Sequence, residues 1–225
     1  YMRSEIRLSR SDIGLREYLS VLACLKEGML GMGKYVGIFE DLLSSFFDAE
    51  SVCVSSGTSA LHLALESLNL EKGSEVLVPS LTYVATFQAI KAAGLTPRPV
   101  DVDPLSGNIN IEKLIEAYTS SCKVVVPVLY AGNTSNYRTV LNWAKENSLR
   151  VVCDAAHAFG SKDKGQLVGN FGDVTCFSFD GIKNITSGEG GCIVSNDLKL
   201  INLVKDKRLL SVNKDSEMRY KNKRS

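Results

Sequence analysis

The chain has 225 residues, 44% hydrophobic and 23% charged, an ordinary globular composition with length enough for one large α/β core. Its 26 basic and 25 acidic residues leave a formal net charge of +1, a balance that points away from nucleic acid or an anionic membrane as the main partner. No apolar run reaches the roughly 18–20 residues of a membrane span, and the start Tyr1-Met2-Arg3-Ser4-Glu5 has no apolar core of a signal peptide.

The first predicted helix is capped by Ser11 and runs to about Glu27, with Leu15, Leu19, Leu22 and Leu25 recurring at helical spacing and Gly28 as its stop. A glycine-rich loop from Gly28 to Gly37 follows. A second helix spans Ile38 to Phe47, with Phe39, Leu42, Leu43 and Phe46 on one face. A regular alternation then begins. Strands are expected at Ser51–Val54, Glu75–Val78, Thr96–Val100, Lys123–Leu129, Arg150–Cys153, Val174–Phe179 and Gly191–Val194. Helices are expected at Thr58–Leu68, Tyr83–Ala93, Ile111–Thr119 and Ser135–Asn147. Near-continuous apolar strands separated by amphipathic helices imply a mainly parallel sheet covered on both faces, in one domain. The segment from Lys205 to Ser225 is rich in lysine and arginine. It reads either as a solvated helix fading into a tail or as a basic strip that touches substrate phosphates.

Six cysteines are present and none form a CxxC pair, so they read as reduced, buried thiols of a cytoplasmic protein, and no metal-ligand spacing suggests zinc.

Three segments carry chemistry. In Ser55-Ser56-Gly57-Thr58-Ser59-Ala60-Leu61 a strand end turns on small residues into a helix, whose free N–H groups and positive dipole end can cradle a phosphate. A plain capped helix fits the same residues, and the GK[ST] of a nucleotide-triphosphate loop is missing. In Val151-Val152-Cys153-Asp154-Ala155-Ala156-His157 an acid ends an apolar strand, where open α/β sheets place ligands. Such an acid needs a cation or several hydrogen bonds, and a protonated pyridine nitrogen is one such cation. Asp154 also fits a helix cap, and His157 a core histidine. The third segment runs from Phe177-Ser178-Phe179 through Lys183 to Gly188-Glu189-Gly190-Gly191, a strand entering a polar, glycine-rich loop with one lysine. A loop lysine is usually just solvated. In a dry pocket its amine loses its proton more readily and attacks aldehydes. Tyr83 opens a further helix, where its ring can stack on a flat cofactor or pack in the core.

These blocks, in this order and spacing, resemble the DegT/DnrJ/EryC1/StrS sugar aminotransferases, which are fold-type I pyridoxal phosphate (PLP) enzymes. The similarity covers about Ser9 to Asp197 and includes Pro79-Ser80-Leu81-Thr82-Tyr83-Val84-Ala85-Thr86. It implies a mixed, mostly parallel seven-stranded sheet between helices. It implies catalytic roles for Lys183, Asp154 and His157, with Lys183 as the Schiff-base lysine. Cofactor contacts are implied for Gly57, Thr58, Ser59 and Ser178 at the phosphate, Tyr83 on the ring, Asp154 at the pyridine nitrogen and His157 beside the ring. Glu189 has no implied chemical role and reads as structural.

The resemblance further implies PLP as cofactor, L-glutamate as amino donor leaving as 2-oxoglutarate, a nucleotide-linked keto sugar as acceptor, and a homodimer. His157 stands where sugar 3-aminotransferases often carry glutamine, which favours 4-keto over 3-keto substrates. Residues 1–225 would then be the large PLP-binding domain with an N-terminal helical segment. The true start and a small C-terminal domain would lie outside this chain. Two departures stand out. Leu129 replaces a histidine frequent in the family, which implies a packing change, and Asp180-Gly181-Ile182 replaces the usual His-Pro-Thr before the lysine. A sugar dehydratase of this family usually carries histidine in place of Lys183. Cyclitol aminotransferases and non-catalytic members stay as alternatives. A dinucleotide site at Gly31-Met32-Gly33-Lys34-Tyr35-Val36-Gly37 is excluded, because that run follows a helix.

Overall fold

A computed structural model of the chain describes residues 9–28 and 30–209. Two helices lead: α1 (Leu15–Glu27) and α2 (Lys34–Phe47). Then come β1 (Glu50–Val54), α3 (Gly57–Ser67), β2 (Glu75–Pro79), α4 (Val84–Ala92), β3 (Thr96–Val100), α5 (Ile111–Ala117), β4 (Cys122–Val125) and α6 (Tyr137–Glu146). The chain continues with β5 (Arg150–Asp154), a small hairpin of β6 (Lys162–Asp163) and β7 (Gln166–Leu167), β8 (Val174–Ser178), β9 (Gly191–Ser195) and α7 (Leu198–Arg208). Seven strands form one sheet in the order β1-β9-β8-β5-β4-β2-β3. The pairs from β8 across to β3 are parallel, while β9 runs antiparallel to both β1 and β8. This is the mixed, mostly parallel seven-stranded sheet that the alternation and the resemblance implied.

Alternation along each strand divides the core into two layers. Leu77, Val125, Val151, Cys153 and Phe177 face one way and pack with Phe47 of α2, Leu114 of α5 and Val140 of α6. Val76, Val124, Val152, Cys176 and Ile193 face the other way and pack with Leu61 and Leu65 of α3, Ile90 of α4 and Ile201 of α7. Both faces are therefore covered, which is why the strands read as continuous apolar runs.

Local boundaries differ from the sequence expectations in four places. Helix α1 starts after Gly14, not Ser11. Glu17 Oε2 accepts the Gly14 N–H at 2.7 Å, and the Ser11 hydroxyl instead donates to the Gly181 carbonyl at 2.7 Å. Helix α2 begins four residues earlier than Ile38 and carries Gly37 in its interior, where packing outweighs the roughly 1 kcal/mol cost of a helical glycine. Strand β4 stops at Val125, since Pro127 has no N–H for a ladder, and only Val128 makes an isolated bridge, to Asp154. The β6–β7 hairpin had no strand signal, being two residues per arm.

The described residues include the start of the basic segment. In α7, Lys205 pairs with Glu50, Lys207 with Glu66, and Arg208 with Glu40 of α2. Arg208 Nη1 also donates to the Cys53 carbonyl at 2.8 Å. These cations fasten α7 to β1, α3 and α2, and each already has a carboxylate partner. Lys214, Arg219, Lys221, Lys223 and Arg224 lie outside the described residues.

Gly191, at the start of β9, lets two backbones meet. A Cβ there would lie 2.6 Å from the Ser56 carbonyl carbon and oxygen and 2.8 Å from the Gly57 nitrogen. Gly191→Ala should therefore cost about 1–3 kcal/mol, read as a lower urea midpoint at unchanged m. Gly37→Ala, where a Cβ would meet nothing within 4 Å, should instead stabilise by about 0.5–1 kcal/mol in the same assay.

Candidate active site

In a parallel sheet the strand ends that face one edge bring their following loops together. Here the segments after β1, β2, β4, β5 and β8 meet at a cavity of about 630 Å³, within the usual range for a small-molecule site.

The anion end is the first turn of α3. Ser56 caps it, its hydroxyl accepting the Ser59 N–H at 3.1 Å, and the Ser56 carbonyl takes the Ala60 N–H at 3.0 Å. That leaves the N–H groups of Gly57 and Thr58 at the positive end of the helix, and both residues line the cavity. Ser178, 7% exposed, stands directly beneath, and a Cβ on Gly57 would come within 2.8 Å of its Cβ. The space of one methyl group is what brings the cradle onto β8. Ser59 is placed differently: its hydroxyl lies 3.0 Å from those of both Ser55 and Ser56, and it is not among the cavity's lining residues.

Asp154 is the deep acid, 6% exposed at the end of β5. Burial pushes its pKa up. The Thr86 hydroxyl, the Ala156 N–H and the charges of His157 and Lys183 oppose that rise, in that order. The bonds are specific: Thr86 Oγ1 donates to Oδ2 at 2.8 Å, and Ala156 N–H to Oδ1 at 3.2 Å. His157 borders the cavity edge-on to Tyr130, with ring centroids 6.0 Å apart. Its pKa is pushed down by partial burial and by the Lys183 charge, against a smaller upward pull from Asp154. The neutral ring is therefore the favoured form near pH 7.

Lys183 projects from the loop between β8 and β9. The loop is held by its own backbone and by both ends of the chain segment around it. Lys183 N–H donates to the Asp180 carbonyl at 3.0 Å, Ser187 N–H to Phe179 at 3.0 Å, and the Asn184 amide to Phe159 at 2.7 Å. The hydroxyls of Ser9 and Ser11 donate to the carbonyls of Ile182 and Gly181, both at 2.7 Å. Tyr83 caps α4 and is 76% exposed, so its ring borders the open side of the cavity. Glu189 borders it too. Leu129, 1% exposed, packs in the core and also borders the cavity.

Lys183, Asp154, His157, Gly57, Thr58, Tyr83 and Ser178 thus line one cavity. Sequence reasoning did not single out Thr86 or Tyr130. Thr86 lies three residues after Tyr83, a helical spacing that could have flagged it. Tyr130 sits after β4 in a turn whose next residue, Ala131, has φ 51, and no sequence signal marks that turn.

The residues present suit a ligand with an anion, a cationic ring atom and an electrophilic carbon. The open α/β sheet with its ligand edge, and a lysine and a buried acid on one cavity, define an α/β protein with a small-molecule site. The chain belongs to the DegT/DnrJ/EryC1/StrS aminotransferase family, whose sequence model matches residues 11–225. It is 41% identical over 169 residues to the GDP-perosamine synthase of Escherichia coli O157:H7, covering 75% of this chain and 46% of that protein. Among solved structures it is similar to Helicobacter pylori PseC, an aminotransferase involved in pseudoaminic acid biosynthesis, with TM-score 0.86 at 30% identity, over 90% of this chain and 55% of that one. The PLP form of the putative sugar aminotransferase Spr1654 of Streptococcus pneumoniae aligns with TM-score 0.83 at 31% identity, over 90% and 57%. The chain spans about half the length of the relatives it matches.

The buried acid sets a stability test. A carboxyl whose folded pKa is raised favours folding only while protonated, and that advantage is lost as pH rises through the raised value. Asp154→Asn should therefore stabilise the ligand-free protein by about 1 kcal/mol near pH 7, on the usual scale of a relieved site, and by little near pH 4. Urea denaturation at the two pH values measures it.

Proposed function

We propose that this chain is the cofactor-binding part of a PLP-dependent aminotransferase that moves an amino group from L-glutamate to a nucleotide-linked keto sugar. The observation that carries the proposal is the convergence of the α3 N-terminus, Asp154 and Lys183 on one cavity. PLP presents a phosphate, a pyridine nitrogen and an aldehyde, one for each. When bound, it supplies an electron sink that weakens the bond from the amino donor's α-carbon to hydrogen.

The protein's own groups have distinct tasks. The Gly57 and Thr58 N–H groups and the Ser178 hydroxyl bind the phosphate, with Ser59 bracing the cap from behind. Asp154 holds a proton on the pyridine nitrogen. Tyr83 would cover the ring's open face, and His157, as neutral imidazole, would lie beside it. Lys183, on the cavity wall, would supply the amine that holds the cofactor's aldehyde carbon and would serve as the base for the donor's Cα proton. In the net reaction the amino group of L-glutamate exchanges with the sugar's carbonyl oxygen, giving 2-oxoglutarate and an amino sugar.

The sugar nucleotide rests on the family and on relatives such as GDP-perosamine synthase. His157 supports a 4-keto over a 3-keto acceptor. Retention of Lys183 speaks against the dehydratase alternative, and its company with Asp154 and Ser178 against a non-catalytic member. A cyclitol acceptor is the alternative that the substrate panel below decides. A cytoplasmic location is supported by the four buried thiols of Cys122, Cys153, Cys176 and Cys192, none of them in a disulfide. Among the described residues no helix is long and apolar enough to cross a membrane.

A homodimer is supported by exposed apolar surface. Helix α1 buries none of its residues, and Leu15, Leu19, Leu22 and Leu25 are each more than half exposed. Ile38 and Leu42 of α2 are exposed as well. A second copy would cover part of this surface beside the open cavity.

Purified protein supplied with PLP should be yellow, and Lys183→Ala should lose that absorbance and reduce turnover by about 10³-fold or more, as expected for a covalent and proton-transfer role. With glutamate, a panel of 3-keto and 4-keto sugar nucleotides and keto-cyclitols should yield product from the 4-keto sugar, identified by mass and NMR. A wild-type protein that stays colourless with PLP rejects the reading.

A further inference from the structure

Behind Asp154 stands a feature that the roles above do not use. Thr86 is 1% exposed, in the first turn of α4, and its hydroxyl reaches across to Asp154 Oδ2 at 2.8 Å. Thr82, one turn earlier and on the cavity wall, has its hydroxyl 2.7 Å from that of Thr86. We propose that Thr86 is a positioning residue that keeps Asp154 ionised and aimed at the cofactor's ring nitrogen, with Thr82 as the second link of a one-way hydroxyl chain leading from the cavity to that acid. The proposal rests on the PLP reading of the site.

Proton counting fixes the direction of the chain. An ionised carboxylate only accepts, and a hydroxyl has one proton to give. Thr86 spends its proton on Asp154, so in the bond between the two threonines Thr82 must be the donor. Both protons then point inward, and the Thr82 oxygen keeps lone pairs toward the cavity. If Asp154 were protonated, its own proton could turn the chain around. Both threonines donating inward is thus the arrangement that an ionised Asp154 requires.

Composition at this position fits the role. Valine would suit the buried start of α4 with no polar atom to satisfy, whereas a buried hydroxyl costs free energy unless bonded. The Thr86 backbone N–H is already taken by the Tyr83 carbonyl at 3.1 Å, so the side chain is not needed to cap its helix. The carboxylate's other oxygen has the Ala156 N–H. Each oxygen thus has one fixed donor, which sets the carboxylate plane and leaves further lone pairs for the ligand. The other titratable groups around Asp154 are His157 and Lys183 on the cavity side and Cys153 and Cys176 on β5 and β8. Burial raises both thiols, so they stay neutral and cannot replace a lost donor by charge.

The test separates an acid that reads the ring nitrogen from a threonine that merely packs. Two probes are used with the purified protein: pyridoxal phosphate, and its analogue with carbon in place of the ring nitrogen. Both carry the same phosphate and aldehyde. Wild type should prefer pyridoxal phosphate. Thr86→Val should weaken pyridoxal phosphate by about tenfold, the scale of one hydrogen bond to a charged group, and leave the carbon analogue within about twofold. Thr86→Ser should restore the preference, and Thr82→Val should reduce it by about threefold. The pH below which the preference disappears should move upward in Thr86→Val, because losing a donor raises the Asp154 pKa further.

Equal weakening of both probes, or an unmoved pH profile, would mean a purely structural threonine and overturn the proposal. Should Thr86→Val not fold, Thr82→Val carries the same comparison, and an equal effect on both probes there overturns it too. A wild type that binds both probes equally well also overturns it, since Asp154 would then not read the nitrogen. A wild type that binds neither rejects the PLP reading, and this proposal with it.

Discussion

Asp154 is a carboxylate at the end of a central strand, with both faces of the sheet packed around it, and much of the site's arrangement follows from keeping it there. Burying an ionised acid costs several kcal/mol unless partners compensate. Two donors from different elements reach its two oxygens, Thr86 from α4 and the Ala156 N–H from its own turn. Two further cationic or ionisable groups, His157 and Lys183, face it across the cavity. These partners only partly offset burial, because the pKa of Asp154 still stands above its ordinary value. The ligand-free site is therefore electrostatically incomplete, and a cation bound beside Asp154 would relieve it.

Two close backbone approaches hold the anion end against that acid. Gly57 rests on Ser178, and Gly191 rests on the Ser56–Gly57 peptide. Together they press the first turn of α3 onto β8 and β9, next to the loop that carries Lys183. The same loop is fixed from outside by Ser9 and Ser11. A lysine in a loop is ordinarily mobile and solvated. Here the carbonyls of Asp180, Gly181 and Ile182 before it all accept hydrogen bonds, so its position is set by the loop's own bonds together with Ser9 and Ser11.

The exposed apolar faces of α1 and α2 have a different status. They are regular helical stripes, and among the described residues none covers that of α1. Helix α7 shows the converse. Its cations looked suited to an anionic ligand, yet Lys205, Lys207 and Arg208 close ion pairs that bind the helix to β1, α2 and α3. Charge composition identified the basic segment but not its partners, since an ion pair depends on which carboxylates the fold brings within a few ångströms.

By itself the sequence determined the layered sheet and marked many of the residues that line the cavity. The apolar runs Val124–Val126 and Val151–Cys153 could only be strands buried on both faces, and their alternation set which side chains meet which helices. Small residues at a helix start, an acid ending a strand and a lysine after Ser178 marked three separate strand ends, because each is a local chemical anomaly. What only the tertiary structure decided is how those ends meet. Thr86 reaches Asp154 across 68 positions of sequence, Ser11 reaches Gly181 across 170, and the Ser59 hydroxyl meets those of Ser55 and Ser56. Periodicity and propensity record what a residue does within its own element. A hydroxyl's partner on another strand or helix leaves no such trace, because it depends on the register and crossing of elements that meet only when the sheet has formed.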